Sequence, residues 1–211
     1  MARMIKKKMN IANQYRQRLE WLRNAALRGL LAATLVTAGA CASSPSETYR
    51  DVNMDIGAIY SVAVMPFVNL SRDQLASERV RDVLTTMLLA DGRMYVIPTG
   101  EIARQVSLAG IMNPNEPTNE EVIKLGKMLK AQGVITGVIR EYGEVRSGAA
   151  VANVISLSVQ LTEVETGKVV SSVGTTKGGI GMVERLFGGG GEPMNDITAK
   201  AMKDVIKKLL D

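Results

Sequence analysis

Residues 155–162 alternate without a break: Ile155, Leu157, Val159 and Leu161 are apolar, and Ser156, Ser158, Gln160 and Thr162 between them are polar. Successive side chains of a strand point to opposite faces, so the pattern predicts a strand with one buried and one wet face. A helix would need its apolar residues three or four apart. Thr166-Gly167 then reads as a turn and Lys168–Thr176 as the returning partner strand. A sheet that is apolar on one face has to be covered, so helices must be sought elsewhere in the chain.

They are present in the right number. Gln74–Ala90 carries Leu75, Val80, Val83, Leu84, Met87 and Leu88 at helical spacing and stops at Asp91-Gly92. Gly100–Ala109 predicts a short helix, followed by the turn-rich run Asn113–Pro117. Thr118 and Glu121 have the spacing of a capping box, with a helix running on through Val122, Leu125 and Leu129. Asp196–Leu210 closes the chain as a helix with Ile197, Ala201, Val205, Ile206 and Leu209 inward. Further strands are expected at Ser61–Asn69, at Met94–Pro98 and at the nearly all-apolar Gly133–Ile139. Pro66 marks a strand end or edge, because proline cannot donate to a ladder. The order is β-α-β-α-α-β-β-β-α, which predicts a single α/β domain: a mixed sheet with helices packed on its faces. No internal repeat is visible.

A different signal precedes this domain. Gly29–Cys41, GLLAATLVTAGAC, is a short apolar run ending in small residues just before the only cysteine of the chain. Eight basic residues and one acid, Glu20, stand ahead of it. The run is short for a membrane span and is flanked as a signal peptide is. A cysteine directly after such residues resembles a bacterial lipobox, with Ala38 where leucine is most usual. That resemblance implies cleavage before Cys41 and acylation of its thiol and new N-terminus. An ordinary secretory signal with a chance cysteine and an uncleaved anchor are the alternatives. The expected division is 1–40 signal peptide, 41–60 lipidated tether and lead-in with Ala42–Thr48 as polar linker, and 61–211 periplasmic α/β domain. Acyl chains would hold the protein on a membrane stably.

Removal of the leader changes the meaning of the composition. The chain has 26 basic and 21 acidic residues, net +5; taking away the leader's 8 and 1 leaves 18 and 20, net −2. No basic excess remains to displace counterions from nucleic acid, so no nucleic-acid partner is expected. The chain has no histidine, and an acylated Cys41 leaves no free thiol. Ser-His-Asp and Cys-His nucleophiles and the usual zinc sites are thereby removed. The expectation is a protein that is not an enzyme and has no cofactor and no metal.

Three segments carry a resemblance. Val62–Ser71, VAVMPFVNLS, is similar to the opening strand of the curli-secretion-channel (CsgG-type) and TolB-N-terminal-like families. Gly126–Gly137, GKMLKAQGVITG, resembles their helix-to-strand element, and Leu161–Val173, LTEVETGKVVSSV, their hairpin. With the lipobox, these lie in the right order over most of the chain. The wider superfamily includes the curli channel, the Pel exopolysaccharide lipoprotein and the LpoB-type activators of penicillin-binding proteins. The resemblance implies a periplasmic domain lipid-anchored to the outer membrane and acting by binding. Ala42, rather than Asp, after Cys41 fits outer-membrane sorting.

Two segments are candidates for more than packing. Glu141-Tyr142-Gly143-Glu144-Val145-Arg146 is a polar patch at a strand end, where alternation predicts an exposed Glu144–Arg146 ion pair rather than an acid–base site. Gly188–Gly191 lacks the Lys-Ser/Thr that a phosphate loop requires and reads as a hinge. Met182, Val183, Leu186 and Phe187, bracketed by glycines, are candidate contacts for another subunit, a partner or the membrane, the alternative being that they fold back onto the core. The leading functional expectation is a lipoprotein that supports secretion or assembly of envelope or extracellular components as a homo-oligomer. The alternative is a regulatory module that activates a peptidoglycan synthase. The short linker favours work close to the membrane.

Overall fold

The computed structural model describes residues 47–181, 185 and 191–211. They belong to the second of two units in the chain, Ser44–Asp211. The signal peptide, Cys41 and the contact candidates Met182, Val183, Leu186 and Phe187 lie outside the described residues.

A mixed sheet is the frame of this unit. Its strands are β1 (Glu47–Arg50), β2 (Ser61–Val64), β3 (Val68–Asn69), β4 (Tyr95–Val96), β5 (Gly133–Ser147), β6 (Ala150–Glu163) and β7 (Val169–Gly178). The spatial order is β1-β7-β6-β5-β2-β4, and β3 continues alongside β5. β2 pairs in parallel with β4 and β5, and β3 also runs parallel to β5. The β5-β6, β6-β7 and β1-β7 pairs are antiparallel. Among the described residues four helices pack on it: α1 (Ala76–Asp91), α2 (Thr99–Ala109), α3 (Asn119–Leu129) and α4 (Met194–Leu210).

The alternation in 155–162 is resolved as expected. Ile155, Leu157, Val159 and Leu161 are fully buried in one cluster with Val80, Leu84 and Leu88 of α1 and Ile197, Ala201, Val205 and Leu209 of α4. The opposite face builds a second, smaller cluster from Ala63, Met65 and Val134 of the strand region with Ile102 of α2 and Val122, Leu125 and Leu129 of α3. Adjacent residues of β2 and β5 therefore serve different cores, which explains why both strands read as continuous apolar runs. Gly126 lets α3 approach the end of β6, since a Cβ there would collide with the Val164 side chain. Thr118 caps α3 in a capping box with Glu121, through bonds of 2.8 and 3.2 Å.

One polar cluster fastens α4 to the sheet. Asp204 accepts from Thr175 Oγ1 of β7 at 2.8 Å and pairs with Lys208 at 2.7 Å and Lys177 at 3.3 Å. Burial opposes ionisation of this carboxyl, and the bonds from Lys208, Thr175 and Lys177 outweigh it, so Asp204 titrates below the ordinary aspartate value.

Three boundaries differ from the sequence expectation. The sheet begins at Glu47, inside the stretch read as linker and lead-in and ahead of the expected start at 61. β1 is four exposed residues held by backbone pairing to β7, so it has no apolar pattern to read. A 3-10 turn, Ile56–Ala58, then sets Ile56 and Ile59 into the core. Ser61–Asn69 is two strands rather than one, divided at Met65-Pro66-Phe67. The hairpin of β5 and β6 is also longer than expected, running to Ser147 and Ala150. A bulge at Arg140, skipped between Ile139 and Glu141, breaks its pattern.

Candidate functional site

The polar patch at 141–146 forms the outer arm of β5. Arg146 donates through Nε to Glu144 Oε1 at 2.7 Å, with its Nη2 at 2.6 Å from the same oxygen. This is the ion pair that alternation predicts, and it is exposed enough to contribute only about 0–1 kcal/mol. Tyr142, in the same stretch, is buried in the larger core. A cleft of about 600 Å³ separates this arm from the Leu70–Asp73 loop, with Arg72, Arg140 and Glu141 on its walls. Asn69 shapes that loop: its Oδ1 accepts from the Ser71 amide and hydroxyl at 3.0 and 2.7 Å, and its Nδ2 donates to the Asp73 carbonyl at 2.7 Å.

A second concavity of about 960 Å³ lies between α1 and β4. Ser77, Arg81, Thr85 and Leu89 line it at intervals of four, one stripe of α1 turned away from the core. Tyr95 lines it from β4, and Leu89 and Tyr95 are 58% and 62% exposed. Arg81 is half-buried and donates through Nε to the Val64 carbonyl at 3.0 Å. Burial lowers its pKa, yet an arginine keeps its charge at any physiological pH. No carboxylate among the described residues forms an ion pair with it. Thr85 Oγ1 is buried without a hydrogen-bond partner. The i, i+4 stripe was visible in the sequence, but only the position of the edge strand turns it into a groove.

The third surface is the outer face of β7, β6 and the adjoining part of β5. Among the described residues no helix covers it. Ser172, Gln160 and Thr136 form one cross-strand row, and Gly174, Ser158 and Val138 the next. Thr176 donates to Ser156 across the strands at 3.0 Å. The result is a face of small polar side chains with Tyr49 and Glu47 at one rim, and Arg140 reaches onto it to donate to Ser158 Oγ at 3.4 Å. Among the described residues there is no group of His, Cys, Asp and Glu placed to hold a metal ion, and no helix long and apolar enough to cross a membrane.

The family model described as peptidoglycan-synthase activator LpoB matches residues 34–173, about two thirds of the chain. The chain belongs to the LpoB family. The match takes in Cys41, the sheet from β1 through Val173 of β7 and the first three helices; α4 lies beyond it. No curated protein matches the sequence. Among solved structures, the PelC dodecamer from Paraburkholderia phytofirmans is similar at 15% identity and a TM-score of 0.54, over 79% of this chain and 99% of that one. Lipoprotein GNA1162 from Neisseria meningitidis is similar at 17% identity and a TM-score of 0.51, over 70% of this chain and 96% of that one. The LpoB C-terminal domain from Escherichia coli matches at 17% identity and a TM-score of 0.44, over 58% of this chain and 87% of that one. The likeness to PelC and GNA1162 shows a common fold. The family match makes this LpoB-family chain an envelope-lipoprotein relative whose family is regulatory rather than enzymatic.

Proposed function

We propose that the protein is a lipid-anchored periplasmic regulator that binds and activates a peptidoglycan synthase, working from the inner surface of the outer membrane. The observation that carries this reading is the LpoB family match over residues 34–173. Supporting it is the lipobox-like sequence ahead of Cys41. Cys41 is the acylated residue of this reading. Leu186 and Phe187, with Met182 and Val183, are proposed contact side chains in the glycine-bracketed segment.

One observation favours a second reading, a homo-oligomeric scaffold that supports secretion or assembly as the CsgG-type resemblance implies. Only Ala42–Ser46, five residues, separate Cys41 from the first strand. As a flexible chain they would reach about 12 Å, which holds the domain against its own membrane. A fold shared with a protein crystallised as a dodecamer is compatible with that arrangement.

One measurement tests both: the mass of the native particle extracted in detergent, with its co-purifying proteins identified. A synthase present in fixed ratio supports the first reading. A closed multiple of the protomer mass without a synthase supports the second and overturns the first. A single acylated chain without partners overturns both.

A further inference from the structure

The groove between α1 and β4 combines four features whose bonding is incomplete among the described residues. The first is a strand edge. Tyr95 donates to the Tyr60 carbonyl at 2.7 Å and Ile97 to the Val62 carbonyl at 2.9 Å, so both face β2. In a parallel ladder the residue between them turns its N–H and C=O the other way. The backbone of Val96 therefore faces outward from the last strand of the sheet while its side chain is buried in the core. The second is Arg81, half withdrawn from water with one bond to a carbonyl and no counter-ion. The third is the buried Thr85 hydroxyl without a partner. The fourth is the apolar pair Leu89 and Tyr95, both mostly exposed on the groove wall.

We propose that this groove receives an extended segment of the binding partner, which adds as a strand to the free edge of β4, sets one carboxylate on Arg81 and lays a bulky apolar side chain between Leu89 and Tyr95. The proposal rests on the reading that the protein acts by binding. Strand addition supplies main-chain hydrogen bonds, and alternate side chains then fall into fixed places along the groove. A carboxylate is the natural complement of a desolvated guanidinium, because a charge-assisted pair offsets what burial of the cation alone costs. Glu78 and Asp82 lie on the same groove wall. They admit a single acid opposite Arg81 and repel an acidic run, so the preferred segment has one carboxylate among apolar and neutral residues.

The test places p-benzoylphenylalanine at Tyr95 or, in a separate strain, at Ser158 on the uncovered sheet face, in the full chain expressed in cells. After irradiation the cross-linked peptides are sequenced. The expected result is cross-linking from Tyr95 to an extended segment of another protein with one acidic residue near an apolar one. Its yield should fall about tenfold with Arg81→Gln and be retained with Arg81→Lys. Leu89→Glu changes an exposed side chain, so it should abolish the product while leaving the melting temperature unchanged. This keeps the test decisive if Arg81→Gln impairs folding. Cross-linking from Ser158 alone overturns the groove and leaves the binding reading standing. A product from Tyr95 that joins two copies of this chain, or that ignores both substitutions, overturns the proposed occupant. Absence of products from both positions overturns the binding reading itself.

Discussion

Leu157 has no exposed surface and lies between α1 and α4, whereas Ser156 faces the uncovered side and accepts a hydrogen bond from Thr176. Leu157→Asp places an unpaired carboxylate in the larger core, at a cost of several kcal/mol, comparable to the whole stability of a domain. Urea or thermal melts should show it unfolded, and Ser156→Asp should melt within about 3 °C of the parent. Asp204 gives a prediction in pH. Its folded pKa is depressed, so the stability it contributes is present above the unfolded value near 4 and is lost as pH falls through the folded one. Asp204→Asn should therefore be less stable than the parent at pH 7, with the difference closing below about pH 4. A stability gap that stayed constant between those values would show that the charge of Asp204 does not matter. The face of Leu157 was legible in the sequence because period two is unambiguous over eight residues. The partners of Asp204 were not, since Thr175 lies 29 positions away and only the β7-α4 packing joins them.

Among the elements, those with a local cause were read best. The start of α3 is fixed by Thr118 and Glu121, three positions apart, whose reciprocal bonds need no distant partner. Thr118→Ala should cost about 1 kcal/mol, a fall of roughly 2–4 °C in melting temperature, and hydrogen exchange should rise first in the opening turn of α3. Elements held by distant partners were harder. β1 shows four exposed residues and depends on backbone pairing with β7, more than a hundred positions later, so no local pattern could announce it. The outer arm of the β5-β6 hairpin was hidden by its own bulge: the skipped Arg140 shifts the phase of alternation, and Tyr142 appears in a polar patch although it is a core residue. The groove beside β4 shares this limitation. Its α1 stripe is local, but its floor is the far edge of a sheet assembled from both ends of the domain.

At the scale of the whole molecule, the proposed lipid attachment is separable from folding. β1 starts at Glu47, so Cys41→Ala changes a residue ahead of every described element. The variant should leave the membrane fraction and retain a cooperative melt, and intact mass of the parent should show loss of residues 1–40 with added acyl mass. An unmodified thiol with the leader retained would remove the lipid anchor from the account. Of the families the three-segment resemblance named, the family match shows the LpoB type and not the CsgG type; those segments are the strands of the sheet and the helix end that leads into β5. It could not choose a partner, since exposed side chains follow no pattern that the fold imposes.

The approach and return of the chain around residues 182–190 have a practical meaning. Gly179 donates to the Asn153 carbonyl at 2.7 Å, and Gly191 donates to the Val151 carbonyl at 3.2 Å, so both ends are clasped to the same short stretch of β6. Asn153 Nδ2 adds a third clasp by donating to the Glu192 carbonyl at 2.9 Å. Lengthening a stretch of flexible chain between pinned ends costs only about 0.6 kcal/mol per doubling. This neck is therefore a natural port for grafting: an epitope or a small reporter domain could be spliced in there and displayed without asking the sheet to move.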